Sequence, residues 1–176
     1  STLVGTSTSC GDTSSDNCNG FGYGINAVSG FTTIGISTSD IRAQHGVAVW
    51  ATVSDERYKK DITDSSLGLS FINALKPRTF KYRTKGNLPS TFRAYEEGSS
   101  EVYKFPETQH GFIAQEVKTA IDADSGVADG FKMWSERPDG SQEVAEAALI
   151  PVLVKAIQEQ NALITSLTAR IEALES

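Results

Sequence analysis

Ser54, Lys59 and Lys60 fall within seven residues, in the segment Ser54-Asp55-Glu56-Arg57-Tyr58-Lys59-Lys60-Asp61-Ile62, at an abrupt change of composition. A serine hydroxyl attacks a carbonyl only when some base removes its proton, and an unprotonated lysine amine can be that base. The chemistry on offer is acyl transfer, and its place at a boundary suggests self-cleavage. An unperturbed lysine has a pKa near 10.4, so only about 0.1% is free amine at neutral pH. Burial, or the neighbouring charge of Arg57, would raise that fraction. Lys60 is a second amine within reach of the serine. The ordinary reading of the same residues is Ser-Asp-Glu-Arg as a helix start, with Lys59 and Lys60 on a solvated face.

The surrounding chain is acidic, with 16 Lys+Arg against 22 Asp+Glu, and no basic stripe suited to phosphates. No run of about 18 apolar residues and no signal-peptide pattern is present, so neither nucleic acid nor membrane is expected as a partner. A soluble protein made in a cytoplasm is the default expectation. Cys10 and Cys18 match no metal motif, and neither a metal nor a cofactor is expected. Unpaired surface thiols are the expected state of the two cysteines, with a local disulfide as the alternative.

Three segments differ in texture. Residues 1–53 are rich in Ser, Thr and Gly, and their charged side chains are Asp12, Asp16, Asp40 and Arg42. Short apolar pieces at 23–28, 31–36 and 46–53, each bounded by turn residues, predict short strands. A lone hairpin is marginal in water, so these strands are expected to need other copies of themselves, as an interwound fibre shaft does. Residues 54–147 read as a globular α+β domain. A helix capped by Asp64 or Ser65 carries Leu67, Phe71, Ile72 and Leu75 and stops at Pro77. Strands are expected at 78–83 and 101–105, separated by an arm at 86–100. His110 to Val117 passes from strand or turn into a short helix, and 126–140 reads as loop and hairpin.

From Val144 onward the pattern is helical, with Pro151 in a first turn or a kink. Ile150, Ile157, Ile164 and Ile171 recur every seven residues, with Leu153, Leu167 and Leu174 three later and Gln160 at the polar d position. A coiled-coil helix over 148–176 that self-associates is the expectation; packing on its own domain is the alternative. Trp50 and Trp134 are expected in the core or between chains.

Three motifs in order carry a resemblance. Ser54 to Ile62, with Gly68-Leu69, Leu75-Lys76-Pro77 and Phe80-Lys81-Tyr82, resembles the start of the peptidase S74 family. That family is the C-terminal intramolecular chaperone domain of phage endosialidase tailspikes and other tail fibres. Gly111-Phe112-Ile113-Ala114-Gln115-Glu116-Val117 is similar to its second motif, and the heptads resemble its tail. The resemblance implies a homotrimer that brings its own upstream shaft into register in the host cytoplasm and is then cut off, leaving the fibre in the virion tail. It also implies Ser54 and Lys59 as the catalytic dyad and the Ser54-Asp55 bond as the cut. A serine attacking its own carbonyl closes a strained four-membered ring, so that cut calls for backbone strain or for a serine from a neighbouring chain.

Arg57, Lys60 and His110 are candidate auxiliaries, although His110 and His45 are expected mainly as structural hydrogen-bonding residues. Gln115 and Glu116 are expected as surface, capping or shaft-contacting groups. The competing functions are a tip that does not cleave and stays attached to bind a host receptor, and a trimeric bacterial adhesin fragment. Adhesin stalks usually continue into a membrane anchor, a pattern that this sequence does not show.

Overall fold

A computed structural model describes residues 1–11, 17–127 and 130–175. Asp12, Asp16 and part of the loop expected at 126–140 lie outside the described residues. Two compact units divide at Ile62 and Thr63.

In the first unit, glycines dictate the path. The strands are β1 (Thr2–Val4), β2 (Ser9–Cys10), β3 (Asn19–Tyr23), β4 (Asn26–Ala27), β5 (Phe31–Ile36), β6 (Ser39–Gln44) and β7 (Trp50–Ala51). β1, β3 and β5 pair in parallel, β2 pairs with β4 in parallel, and β6 and β7 complete the larger sheet antiparallel. The chain therefore coils and stacks on itself, where the sequence suggested strands joined by tight turns. Gly5, Gly22 and Gly35 have φ of 123°, 144° and 154°, and a Cβ on either of the first two would overlap the carbonyl oxygen of the next. Two residues beyond each glycine the chain turns a corner, at Ser7, Gly24 and Ser37, all with positive φ. A Gly-x-Ser or Gly-x-Gly step thus repeats once per coil.

The 31–36 strand forms as expected, whereas the 23–28 piece is broken at Gly24 into the end of β3 and β4. Only Trp50–Ala51 pairs within 46–53, and Trp50 stays half-exposed, outside any core of its own chain. β6 escapes sequence reading because Ser39, Asp40 and Arg42 look like loop. Inside the coil Cys18, Ile25 and Ala27 are fully buried, with Cys10 against them. Cys10 and Cys18 form a disulfide, with Cα atoms 6.3 Å apart, in place of the unpaired thiols expected. The coil returns the chain past β2 on entering β3, which brings the two cysteines face to face.

The second unit is α+β. It contains α1 (Leu69–Ala74), β8 (Arg78–Phe80), β9 (Gln109–Gly111), α2 (Ala114–Ala123), β10 (Trp134–Glu136), β11 (Gln142–Val144) and α3 (Ile150–Glu175). Leu67, Phe71, Leu75, Val117, Ala120, Met133, Leu149 and Val152 make one core, so both short helices and the start of α3 contribute to it. Trp134 packs at its edge, with Nε1 donating to Gln142.

Helix α1 starts later than expected, because Ser65 accepts from Leu67 N–H in the preceding loop and so is spent before the helix begins. Gly68 stands at the N-cap and has no side chain to offer. Glu159 of α3 supplies the missing acceptor, its Oε2 taking the Leu69 N–H at 2.8 Å. Residues 101–105 pair through a single bridge, Thr84 to Val102, and do not form a strand. Tyr82 instead stacks edge-on between Phe80 and Tyr103, at 5.5 and 5.7 Å. The 86–100 arm is closed at its base by Lys85 N–H to Glu101 and Gly86 N–H to Ser99. Val144 lies in the β10–β11 hairpin, so the C-terminal helix begins six residues later than its pattern suggested, at Ile150. At the hairpin tip, hydrogen bonds from the Ser141 hydroxyl, from Arg93 N–H and from Ser141 N–H hold the Asp139 carboxyl at about 2.

The second motif is fixed by an ion pair. β8 and β9 pair antiparallel, and Arg78 reaches Glu116 on α2 with Nε to Oε2 at 2.9 Å and Nη2 to Oε1 at 2.6 Å. This fork-to-fork contact ties the strand after Pro77 to the helix after Gly111. It also holds the Glu116 carboxyl below its ordinary range, chiefly through the Arg78 hydrogen bonds.

These contacts make two outcomes measurable. Glu159→Ala should lower the stability of the second unit by about 1 kcal/mol in urea unfolding, the usual worth of a helix cap. Gly68→Ala pushes a Cβ into the same carboxylate and should cost nothing further in the Glu159→Ala background. Arg78→Ala should destabilise the unit at pH 7. Because the Glu116 pKa is depressed on folding, the pair stabilises above the unfolded carboxyl value and fades as pH falls through the folded one, so the gap between the two proteins in urea titrations should close as the pH is taken below the ordinary carboxyl range.

Candidate active site at the Ser54 turn

Beyond β7 no regular element forms before Asp55, whose carboxylate starts a turn. Asp55 Oδ1 accepts from Arg57 N–H at 2.9 Å and caps a single 3₁₀ turn over Glu56–Tyr58. Tyr58 N–H and Lys59 N–H close the turn on the carbonyls of Asp55 and Glu56. One such turn reverses the chain, so that a side chain five residues on comes back over Ser54. Lys59 Nζ lies 2.7 Å from Ser54 Oγ. Both residues are exposed in the single chain.

Lys60 turns elsewhere, with Nζ 3.9 Å from Asp61. Arg57 is committed to Asp55 through Nε to Oδ1 at 2.9 Å and Nη2 to Oδ2 at 2.7 Å. The pairing lowers the Asp55 carboxyl from its ordinary value and raises the Arg57 guanidinium. Sequence reasoning placed Arg57 beside Lys59 as a source of positive charge; in the structure its charge is matched by Asp55. The ordinary helix-start reading also holds in part, since Asp55 rather than Ser54 is the cap, and the turn is 3₁₀.

His45 sits on the first unit, with Nε2 3.2 Å from the Thr32 hydroxyl and 3.5 Å from Asn19, a structural arrangement. His110 belongs to the second unit, on β9 opposite Thr79, where it lines a groove of about 600 Å³ with Pro77, Phe112 and Glu146. The Gln115 carbonyl accepts from the Thr119 hydroxyl one helical turn on.

The heptad positions separate by face. Val152 and Ala156 of α3 are buried against their own unit, next to the Glu159 cap. Ile150, Leu153, Ile157, Ile164, Leu167, Ile171 and Leu174 are all 42–87% exposed, and Gln160 is exposed among them. The helix does pack on its own domain, but through a different face from the seam.

Sequence reasoning missed the Asp55–Arg57 pair. The available signal was the spacing of an aspartate and an arginine two residues apart directly after a serine, which suits a carboxylate that caps a turn and grips the guanidinium one step later.

Comparison with known proteins bears on this turn directly. The family model described as chaperone of endosialidase matches residues 54–125, beginning on Ser54 and running through the second motif and α2. No curated protein and no solved structure matches the chain. Over residues 54–125 the chain is thus similar to peptidase S74, the family that its three ordered motifs resemble.

Proposed function

We propose that this chain is the end of a phage tail fibre or tailspike shaft joined to its intramolecular trimerisation chaperone, which removes itself at Ser54 after assembly. The observation that carries the reading is the 2.7 Å approach of Lys59 Nζ to Ser54 Oγ at the first residue of the matched family segment. In the charged form the ammonium donates to the hydroxyl. The reactive form is the free amine, which accepts the hydroxyl proton instead.

The steps balance as an acyl transfer. Ser54 Oγ adds to a carbonyl carbon while its proton passes to Lys59 Nζ. The intermediate collapses, the C–N bond breaks, and the proton goes to the departing amine of Asp55. Water then hydrolyses the ester and frees the serine. Neither Ser54 nor Asp55 is among the non-glycine residues with positive φ, and Asp55 has ordinary extended angles of −67° and 136°. Backbone strain therefore gives no support to attack by Ser54 on its own carbonyl. The cut after Ser54 is assigned to the serine of a neighbouring chain in the trimer.

Two exposed faces favour assembly into a homotrimer. One is the α3 seam. The other is a row across the first unit, in which Val4, Phe21, Ile34 and Ile41 stand opposite one another in register, each 37–54% exposed. The coil keeps Cys18, Ile25 and Ala27 within and turns this row outward, an arrangement suited to burial between chains. Assembly in the host cytoplasm, release of the chaperone and retention of the fibre in the virion tail complete the proposal. No cofactor enters the scheme, and any host receptor is met through the parent fibre.

Freshly expressed protein on a denaturing gel should resolve into residues 1–54 and 55–176, while Ser54→Ala and Lys59→Ala remain whole. A wild type that stays whole after long incubation as a trimer would favour the alternative of a permanent, receptor-binding tip. Ile157→Asp combined with Ile164→Asp should turn the trimer into monomer in analytical ultracentrifugation, and should abolish cleavage with it.

A further inference from the structure

Lys59 has carboxylates close by in the chain, and any of them that paired with its ammonium would hold the proton on. The charged groups nearest it in the chain are Asp55, Glu56, Arg57, Lys60 and Asp61, and β6, the strand paired with β7, carries Asp40 and Arg42. Asp61 has Lys60 beside it, and Glu56 is exposed to solvent. Asp55 is the critical one, because it comes directly after the serine that Lys59 touches. Both of its oxygens are occupied, Oδ1 by the Arg57 N–H and Nε, and Oδ2 by Nη2.

We propose that Arg57 is a positioning residue that acts through Asp55: by engaging both oxygens of that carboxylate, it stops Asp55 from becoming the counter-ion of Lys59. The lysine is left with a hydroxyl as its near partner, and a neutral partner does not favour ammonium over amine as a carboxylate does. The same contact builds the 3₁₀ turn, so one ion pair sets both where the amine stands and how readily it gives up its proton. Arginine suits the task because its planar fork fills two carboxylate oxygens at once and stays charged at every pH where lysine titrates. This inference rests on the self-cleavage reading for its purpose, but the exchange of partners can be measured without cleavage.

The test uses the full chain in a Ser54→Ala background, where nothing is cut. Each variant is treated with an acylating reagent across pH 7 to 11, and the extent of labelling at Lys59 is read by peptide mass spectrometry. Arg57→Ala should move the half-labelling pH of Lys59 upward by about one unit, the shift expected when a carboxylate comes within hydrogen-bond range. Asp55→Asn in the Arg57→Ala background should bring it back, since asparagine can still cap the turn but carries no charge. Arg57→Lys should fall between.

In the cleaving chain, Arg57→Ala should be slower at pH 7 by about tenfold and should converge with wild type at high pH, which damage to the fold would not produce. An unchanged half-labelling pH in Arg57→Ala, or a shift that Asp55→Asn does not reverse, overturns the proposal. A labelling shift in a protein that never cuts itself would leave the partner exchange standing and remove the self-cleavage reading alone.

Discussion

One chain cannot cover the apolar surface it carries, and the other features depend on that constraint. Seven isoleucines and leucines of the α3 seam lie about half-exposed or more, and a second apolar row runs across the coiled sheet. Completing the burial of each seam residue stabilises by about 1 kcal/mol, so the seam supplies about 7 kcal/mol per chain, similar to the cost of holding chains together. The seam alone is therefore a borderline adhesive. In the proposed trimer the row on the first unit adds to it, which is the physical sense in which a chaperone segment and the proposed shaft segment belong on one polypeptide.

How the helix divides its faces matters as much as the apolar area. Val152, Ala156 and Glu159 lie on one side of α3 and fasten it to its own unit, with the Glu159 carboxylate capping a six-residue helix whose own N-cap is glycine. The isoleucines and leucines lie on the other. Oriented by its domain, the seam is presented as a fixed edge, and a fixed edge loses less freedom on association than a free helix would.

Periodicity made much of this legible. The seven-residue repeat in α3 and the strand-to-helix passage at Gly111 to Val117 emerged because local pattern determines them. Features set by contacts between distant residues did not. The cap at Leu69 comes from 90 positions away, and nothing around Gly68 announces it. The parallel stacking of β1, β3 and β5 was hidden because turn residues and short apolar runs look alike in a hairpin and in a coil. The recurring step of glycine and then serine or glycine two residues on, at Gly5, Gly22 and Gly35, was the signal available. The disulfide depended on that coil and was hidden with it. At the Ser54 turn the spacing identified Ser54 and Lys59 as neighbours, whereas the match of Asp55 to Arg57 needed the shape of the turn.

On the proposed self-cleavage, the same turn accounts for how the pair stays harmless before assembly. In the single chain Ser54 and Lys59 are exposed and lie in contact. Geometry is thus in place before chemistry is possible. In the proposed assembly the turn is covered and loses its water, and desolvation disfavours a charged lysine unless a carboxylate offsets it. Asp55 is the residue best placed to do so, and it already holds a guanidinium. In the proposed trimer, assembly acts on a lysine that loses its water without gaining a counter-ion, and the step that completes the proposed trimer is the one that makes the amine available.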